Sequence, residues 1–255
     1  MIDNIFIFFD IIIVILKKKK NNLGVDYINI LVACEESQRV CSAFRTKGHI
    51  AYSCDIIDCT GGHPEWHIKQ DVLPLLNGYC DFTTCDGNKH ELGCKWDMII
   101  AHPPCTYLSN AGMQCFSPKK KTYQQMYERM QLRSQAAIFF LQFLLADCDM
   151  IAVENPVGYM NTHYMSPSQI INPYEFCSSV ESDEYVSKKT CLWLKGLPKL
   201  QRTNNFKKPV SKKYIRENQQ YSKYKYYSWT ELTKGQQNRS KTFYCIANAM
   251  AAQWG

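Results

Sequence analysis

The sequence predicts an α/β fold with a mostly parallel sheet and helices on both faces. Two observations lead to this prediction. Short apolar runs with the length of buried strands alternate along the chain with segments of helical periodicity, an order typical of parallel sheets covered by helices. Several of these runs also end in polar or reactive residues, and such sheets bind ligands at the carboxyl ends of their strands.

The first half of this pattern begins at residue 28. Residues 28–34 are a short apolar run bounded by polar residues, which predicts a buried strand. Residues 40–47 predict a helix that ends at Gly48, because glycine commonly follows the last turn of a helix. A second strand is predicted at 51–57 and a third short unit at 71–76.

The second half holds the strongest strand signal and the longest helix. Residues 97–101 (Asp-Met-Ile-Ile-Ala) are apolar after one acid, which is typical of a strand buried on both faces. Residues 123–146 carry apolar side chains at helical spacing, so they predict a long helix. Further strands are predicted at 150–153 and 191–194.

The length and composition exclude several classes of protein. The chain has 255 residues, of which 45% are hydrophobic and 21% charged, as expected for a globular domain and not for a disordered chain. No window holds 18 uninterrupted apolar residues, which excludes a polytopic membrane protein. The 13 cysteines are odd in number and scattered, so we expect reduced thiols in the cytoplasm or the nucleus.

Composition divides the chain into four regions. Residues 1–27 are an apolar extension that ends in a lysine-rich stretch. Because its charge follows the apolar run and two Asp residues interrupt that run, we expect neither a secretory signal nor a membrane anchor. Residues 28–198 form the predicted core, 199–241 a basic segment, and 242–255 a C-terminal part that returns to the core.

The basic segment (residues 199–241) carries the positive charge of the chain. It holds 12 Lys or Arg and two acids, a net charge of +10, whereas the other residues together have −3. It also contains five tyrosines. Basic charge mixed with aromatic rings is typical of segments that follow a nucleic-acid backbone and stack on bases, although a solvated connector has the same composition. The candidate phosphate contacts are Lys207, Lys208, Lys212 and Lys213.

Two predicted strands run directly into reactive side chains. Pro103 and Pro104 follow the strand at 97–101 and stiffen the loop that carries Cys105. Glu154 follows the strand at 150–153. A thiol on a stiff loop suits a nucleophile, and a semi-buried carboxyl group can donate a proton. Each residue taken singly is equally well explained by a structural role, but the two together place a nucleophile and an acid at one sheet edge.

The chain resembles the cytosine-5 DNA methyltransferases in three motifs. Residues 103–109 (Pro-Pro-Cys-Thr-Tyr-Leu-Ser) resemble their catalytic loop, Pro-Pro-Cys-x-x-Phe-Ser. Residues 154–156 (Glu-Asn-Pro) resemble their Glu-Asn-Val motif, and residues 246–250 (Ile-Ala-Asn-Ala-Met) resemble their last motif, Gly-Asn-x-Val. The motifs follow the family's order over residues 28–255, and the similarity is greatest to compact viral and bacteriophage members.

The resemblance implies a Rossmann-like S-adenosylmethionine-dependent methyltransferase fold and a known reaction. Cys105 would add to carbon-6 of a cytosine flipped out of DNA, and Glu154 would hydrogen-bond ring nitrogen 3 and favour that addition. Carbon-5 would then take the methyl group of S-adenosylmethionine, and elimination would release the enzyme. General chemistry agrees, because a stacked base cannot present its carbon-6 face and because a thiol needs a lowered pKa to react at neutral pH.

Four residues are expected at the cofactor on this reading. Asp55 ends the predicted second strand, where Rossmann-like folds place an acid on a ribose hydroxyl, although an Asp at a strand end can also simply start a turn. By resemblance, Asp71 would contact the adenine, and Pro103 and Asn248 would lie at the cofactor as parts of their motifs.

The loop after the first strand departs from the family. The family has Phe-x-Gly-x-Gly there, whereas residues 34–38 of this chain are Cys-Glu-Glu-Ser-Gln. No glycine is present to allow close approach of the backbone to a ligand. A carboxylate could instead bind the positively charged amino-acid end of the cofactor, and Glu35 or Glu36 is the candidate.

Further nucleic-acid contacts are expected around the site. Ser109 ends the catalytic-loop motif, and Lys188 and Lys189 precede a predicted strand where they would stand for the family's Gln-x-Arg-x-Arg motif. The segment around Arg239 is the rival assignment for that motif. The Cys and His residues of 54–94 lack the close pairs of zinc motifs, so no metal site is expected.

We therefore expect a DNA (cytosine-5) methyltransferase whose partner is DNA, with no obligate protein partner and no membrane association. Two alternatives remain open on the sequence. A methyltransferase that acts on RNA or on pyrimidine nucleotides would share the Cys and Glu chemistry. A catalytically inactive nucleic-acid-binding protein would share the basic segment and would explain the missing glycines.

Overall fold

The computed structural model describes residues 19–20, 26–209 and 241–255, and a seven-stranded sheet forms its centre. The strands are β1 (Lys19–Lys20), β2 (Asp26–Tyr27), β3 (Asn29–Ala33), β4 (Ile50–Asp55), β5 (His67–Lys69), β6 (Cys80–Thr83), β7 (Lys89–Leu92), β8 (Met98–Ala101), β9 (Met150–Pro156), β10 (Gln169–Ile171) and β11 (Thr190–Lys195). The α-helices are α1 (Arg39–Thr46), α2 (Tyr123–Leu145), α3 (Tyr159–His163) and α4 (Tyr244–Trp254).

The strand order of the central sheet is β10-β11-β9-β8-β3-β4-β5. All neighbours from β9 to β5 are parallel, and β11 runs antiparallel to both β9 and β10. Counted from the β5 edge, the five parallel strands have the chain order 3-2-1-4-5, which is compatible with a Rossmann-like fold. The predicted α/β class with a mostly parallel sheet is confirmed. The order reverses between β3 and β8, and ligands bind at such a switch point.

Both faces of the sheet are covered by helices. Helices α1 and α4 pack on one face around Phe44 and Met250, and α2 packs on the other around Phe140 and Phe143. The residues of β3 and β8 are buried throughout, as their continuous apolar sequence requires. Helix α2 begins at a capping box, in which the Thr122 hydroxyl accepts a hydrogen bond from the Gln125 N–H at 3.2 Å.

Most predicted elements agree with the structure, and two need correction. The third parallel strand is β5, and the predicted unit at 71–76 contains only a 3-10 turn at Leu73–Leu75. Strand β9 continues through Pro156, so that Glu154 lies within the strand and not after it. The cause is β11, which pairs Leu192 with Glu154 and Thr190 with Pro156 and so extends the strand.

Two of the predicted regions fall largely outside the described residues. Of region 1–27, the structure describes only the short antiparallel pair β1–β2. Of the basic segment, it describes residues 199–209 and 241. No helix among the residues described is long and apolar enough to cross a membrane. All 13 cysteines are described, and all are free thiols.

Candidate functional site

The carboxyl ends of β8 and β9 bring a histidine and a glutamate together. Ala101, the last residue of β8, pairs with Val153 of β9, so the residues that follow them are neighbours at one sheet edge. The His102 Nδ1 atom lies 3.3 Å from the Glu154 Oε2 atom, and the two side chains are only 7% and 16% exposed. The site is therefore a largely buried imidazole–carboxylate pair.

His102 is surrounded by groups that favour its positive charge. Burial disfavours the protonated ring, but the hydrogen bond and charge of Glu154, together with the carboxylates of Glu35 and Glu36, raise the pKa of His102 above its usual value. The Thr242 hydroxyl also lies 3.4 Å from His102 Nδ1. The Nε2 atom of His102 is buried without a hydrogen-bond partner.

Cys105 lies on a loop that β9 holds in place; we call residues 102–110 the Cys105 loop. The buried Asn155 side chain donates through Nδ2 to the Pro103 carbonyl at 2.8 Å. The Cys105 carbonyl accepts hydrogen bonds from the N–H groups of Leu108 and Ser109 at 3.0 and 2.9 Å, which closes a tight turn. The half-buried thiol is thus carried by a turn anchored on both sides.

The Cys105 thiol lies within the electrostatic influence of Glu154 and Lys188. Burial and then the negative charge of Glu154 raise the pKa of the Cys105 thiol above its usual value, while Lys188 acts to lower it. The lowered pKa that the chemistry requires is therefore not what this structure shows. Lys188 reaches the site because antiparallel β11 begins at Thr190, opposite the end of β9.

Two arginines of α2 fasten the Cys105 loop from the other side. Arg133 donates through Nε to the Tyr107 carbonyl at 3.1 Å, and Arg129 donates through Nη2 to the Thr106 carbonyl at 3.2 Å. Arg133 is buried, and its guanidinium lies 3.6 Å from the centre of the Phe116 ring. Neither residue was predicted from the sequence, although a charged residue on the apolar face of a long helix is a signal that could have indicated Arg133.

The far end of the Cys105 loop packs against the backbone that follows β9. Tyr159 N–H donates to the Leu108 carbonyl at 2.6 Å, and Ser109 forms a β-bridge with Gly158. A Cβ atom at Gly158 would lie 2.0 Å from the Leu108 carbonyl oxygen, so only glycine fits there. Ser109 is therefore part of the loop's anchor, at the same edge as Cys105.

Asp55 and Asp71 lie together at the ends of β4 and β5. Both carboxylates contribute to raising the pKa of the Cys34 thiol and of the Cys54 thiol, after burial as the main cause. Asp55 accepts a hydrogen bond from the Ile57 N–H at 3.3 Å, and Asp71 accepts one from the Leu73 N–H at 3.0 Å. Each carboxylate thus starts a turn, and the two form an acidic edge beside the end of β3.

The loop after β3 is held without glycine. Cys34 and Gln38 have φ angles of 59° and 57°, in the left-handed region that glycine adopts most easily. The fully buried Gln38 side chain donates to the Ser53 hydroxyl and to the His63 carbonyl, and it accepts from the His63 N–H at 3.0 Å. These hydrogen bonds offset the conformational cost and fix the loop.

The two glutamates of this loop have different environments. Glu35 accepts hydrogen bonds from the N–H groups of Val40 and Cys41 at 2.7 and 3.1 Å, so its carboxylate caps α1, and burial raises its pKa to about 6. Glu36 is buried, and its Oε1 atom has no hydrogen-bond partner. Since α1 already uses both oxygens of Glu35, Glu36 is the better candidate for a cationic ligand.

The remaining candidate residues are exposed or lie outside the described residues. Asn248 is exposed on α4, and Lys189, Lys207 and Lys208 are exposed as well. Lys212, Lys213 and Arg239 fall in the part of the chain that the structure does not describe. Over the described ranges, no three His, Cys, Asp or Glu side chains form a group that could hold a metal ion.

No protein-family model matches this chain, and no curated protein does.

Proposed function

We propose that the chain is a methyltransferase that transfers a methyl group from S-adenosylmethionine to carbon-5 of cytosine in DNA. One observation carries the proposal. The neighbouring parallel strands β8 and β9 place the Cys105 loop and Glu154 at the same sheet edge, where Asn155, next to Glu154, donates to the Pro103 carbonyl at 2.8 Å. A nucleophile and an acid in one half-buried site are what addition to a pyrimidine ring requires.

The residues at the switch point fit the proposed cofactor. S-adenosylmethionine is a cation with an amino-acid end, a ribose and a purine. The unpartnered oxygen of Glu36 suits a cationic group, and Asp55 at the end of β4 suits the ribose hydroxyls. Ile56 and Ile57, exposed beside Asp55, offer apolar surface to a flat ring. When bound, the cofactor supplies an electrophilic methyl group.

The chemistry of the chain's own residues begins at Cys105. Its thiol has to lose a proton, which burial and the charge of Glu154 disfavour and Lys188 favours. The Sγ–carbon-6 bond would then form as ring nitrogen 3 takes a proton from the Glu154 carboxyl group. In the last step, once carbon-5 carries the methyl group, a base would remove the carbon-5 proton, the Sγ–carbon-6 bond would break to release Cys105 as the thiolate, and the proton on ring nitrogen 3 would return to Glu154. Protonation of Glu154 would therefore have two effects. It would remove the negative charge that disfavours the Cys105 thiolate, and it would favour the addition to the ring.

His102 supports Glu154 in this scheme. Its raised pKa favours a proton on the ring, 3.3 Å from the Oε2 atom of Glu154, so His102 would supply the proton that Glu154 passes to ring nitrogen 3. We assign His102 as a positioning residue, because it touches Glu154 and not the cytosine. Asn155, Arg129 and Arg133 act in the same way on the loop of Cys105.

DNA is the proposed partner because of the positive charge of the chain. Lys188 lies beside Cys105, and exposed Lys189 follows it. The basic segment adds a further net charge of +10, which a phosphate backbone would neutralise.

The test is a transfer assay with S-adenosylmethionine labelled with tritium in its methyl group. Purified protein is incubated with duplex DNA, with RNA and with dCMP, and the labelled base is identified. The proposal predicts label in 5-methylcytosine of DNA, loss of that label in Cys105→Ser, and retention in Cys115→Ser, which changes another half-buried thiol. Label found only in RNA or dCMP would show that the substrate is RNA or a nucleotide and not DNA. If no base is labelled and calorimetry detects no binding of S-adenosylmethionine, the proposal is wrong and the alternative of a catalytically inactive nucleic-acid-binding protein is favoured.

A further inference from the structure

Helix α2 presents apolar side chains to solvent on a face that the sheet does not cover. Five of its large apolar side chains are between 57% and 83% exposed: Tyr123, Tyr127, Met130, Ile138 and Leu145. The same helix buries a different set, including Ala137, Phe140 and Phe143, against the core. Contiguous exposed apolar surface of this kind marks an interaction site in a folded protein.

These residues form one straight stripe. The stripe consists of positions 123, 127, 130, 134, 138, 141 and 145. Successive positions are separated by four, three and four residues, and this pattern occurs two times along the helix. The mean step is about 3.7 residues, close to one helical turn, so that all seven positions lie on one face over a length of about 33 Å. We call these seven residues the α2 stripe. Its only polar member, Ser134, donates its hydroxyl to the Met130 carbonyl at 3.1 Å.

The α2 stripe is complementary to itself when two copies run antiparallel. With Ser134 facing Ser134, the large side chains meet in mixed pairs. Tyr123 faces Leu145 and Met130 faces Ile138. Tyr127 faces the exposed part of Leu141, which also packs against the core of its own chain. Aromatic rings therefore pack on aliphatic chains, and the smallest residue lies where the two helices cross, which allows their backbones to approach closely.

The charges at the two ends of the helix select the same arrangement. Lys119 and Lys121 precede α2, whereas Asp147 and Asp149 follow it, and all four are exposed. All four residues lie outside the helical turns of α2. An antiparallel pair brings the lysine end of one α2 to the aspartate end of the other, where Asp147 also meets Lys95 of its own chain at 2.6 Å. A parallel pair would instead place lysines against lysines, so the charge pattern favours a second copy in antiparallel orientation.

We propose that the α2 stripe is the interface of a homodimer in which two α2 helices pack antiparallel about a two-fold axis at Ser134. Such an interface is isologous, because each copy contributes the same surface. A single pair of helices lies at the small end of stable interfaces, so we expect dissociation in the micromolar range. The proposal does not depend on the function proposed above.

The first test is sedimentation equilibrium of the full chain over a range of concentrations. We expect a monomer–dimer equilibrium that Ile138→Glu weakens at least tenfold, whereas Val180→Glu, which changes an exposed apolar residue away from α2, leaves it unchanged. A wild-type chain that is monomeric throughout would overturn the proposal. A dimer insensitive to Ile138→Glu would overturn it as well.

The second test checks the orientation of the two helices. In Ser134→Cys, mild oxidation should link the new thiols of two copies, because residues on a two-fold axis come within disulfide distance. Gln131→Cys is the control, since Gln131 is exposed on α2 but lies off the stripe. Peptide mapping identifies the linked residues. A dimer in which position 134 does not crosslink, or crosslinks no better than position 131, would refute the antiparallel arrangement.

Discussion

Replacing Gly158 by alanine should displace the Cys105 loop without touching any reactive group. Gly158 lies directly under the loop, where its backbone forms a β-bridge with Ser109. An added Cβ would lie 2.0 Å from the Leu108 carbonyl oxygen and 2.9 Å from the Ser109 Cα. Both atoms belong to the backbone, so no side chain can rotate away to relieve the contact.

The size of the displacement follows from these distances. Ordinary contact begins at 3.4 Å, and the new Cβ would be 2.0 Å from the oxygen, so the loop has to move by about 1.4 Å. The hydrogen bond from Tyr159 N–H to the Leu108 carbonyl, now 2.6 Å long, would be lost or stretched. Since a misplacement of about 1 Å can cost a factor of roughly 10² in rate, we expect Gly158→Ala to lower kcat about 100-fold.

The assay compares kcat for methyl transfer, cofactor affinity and the thermal midpoint in Gly158→Ala and in a matched control, Gly93→Ala. A Cβ at Gly93 meets no atom within 4 Å, so the control should behave as the wild type does. We expect Gly158→Ala to keep its cofactor affinity and its fold, with a loss of stability of about 1–3 kcal/mol from the broken backbone contact. Equal kcat values for the two variants would refute the argument that this contact positions Cys105.

Three further predictions concern Glu35, Asp55 and the basic segment. Burial raises the pKa of Glu35 to about 6 from 4.5, so the stability that its protonated form provides is present at low pH and is lost as the pH rises through 6. Urea titrations compare the unfolding free energy of the wild type with that of Glu35→Gln. Between about pH 4 and 8 the wild type should lose about 2 kcal/mol relative to the variant. A difference in unfolding free energy between the two proteins that does not change with pH would contradict this. Asp55→Ala should weaken cofactor binding in calorimetry by roughly 1.5–3 kcal/mol, through loss of a charge-assisted hydrogen bond, and unchanged affinity would remove Asp55 from the site. Neutralising four lysines should lower the log–log salt slope of DNA binding by up to about 0.9 for each lost phosphate contact, and an unchanged slope would indicate a solvated connector. The four lysines are Lys207, Lys208, Lys212 and Lys213.

The elements that the sequence predicts well are those whose burial is encoded locally. Strands β3 and β8 are continuous apolar runs, and α2 has both helical periodicity and a capping residue at Thr122. Strand β10 has three residues, Gln169–Ile171, and exists because β11 pairs with it. The hairpin β6–β7 alternates exposed and partly buried residues in a polar stretch, so no local apolar signal predicts it.

The candidate site divides in the same way. Cys105 and Glu154 were predicted because each follows or ends an apolar run, and a parallel sheet brings such ends together. The role of Arg133 depends on its hydrogen bond to a carbonyl 26 residues away in the chain. The role of Gly158 depends on its close approach to the Leu108 carbonyl. These contacts are tertiary, and the residues that make them carry no pattern of their own. His102 is intermediate, because a polar residue directly after a buried strand is a visible signal without a defined partner.

The most direct test of the proposed function is the identity of the residue that bonds to the base. Fluorine at carbon-5 blocks the final elimination, because no proton can leave from that carbon. Duplex DNA that contains 5-fluorocytosine, incubated with the protein and S-adenosylmethionine, should therefore accumulate a covalent complex. We predict that peptide mapping of this complex finds the base on Cys105, that Cys105→Ser forms no complex, and that Glu154→Gln forms it much more slowly. An adduct on Cys115 or another thiol, or full turnover by Cys105→Ser, would contradict the proposed mechanism.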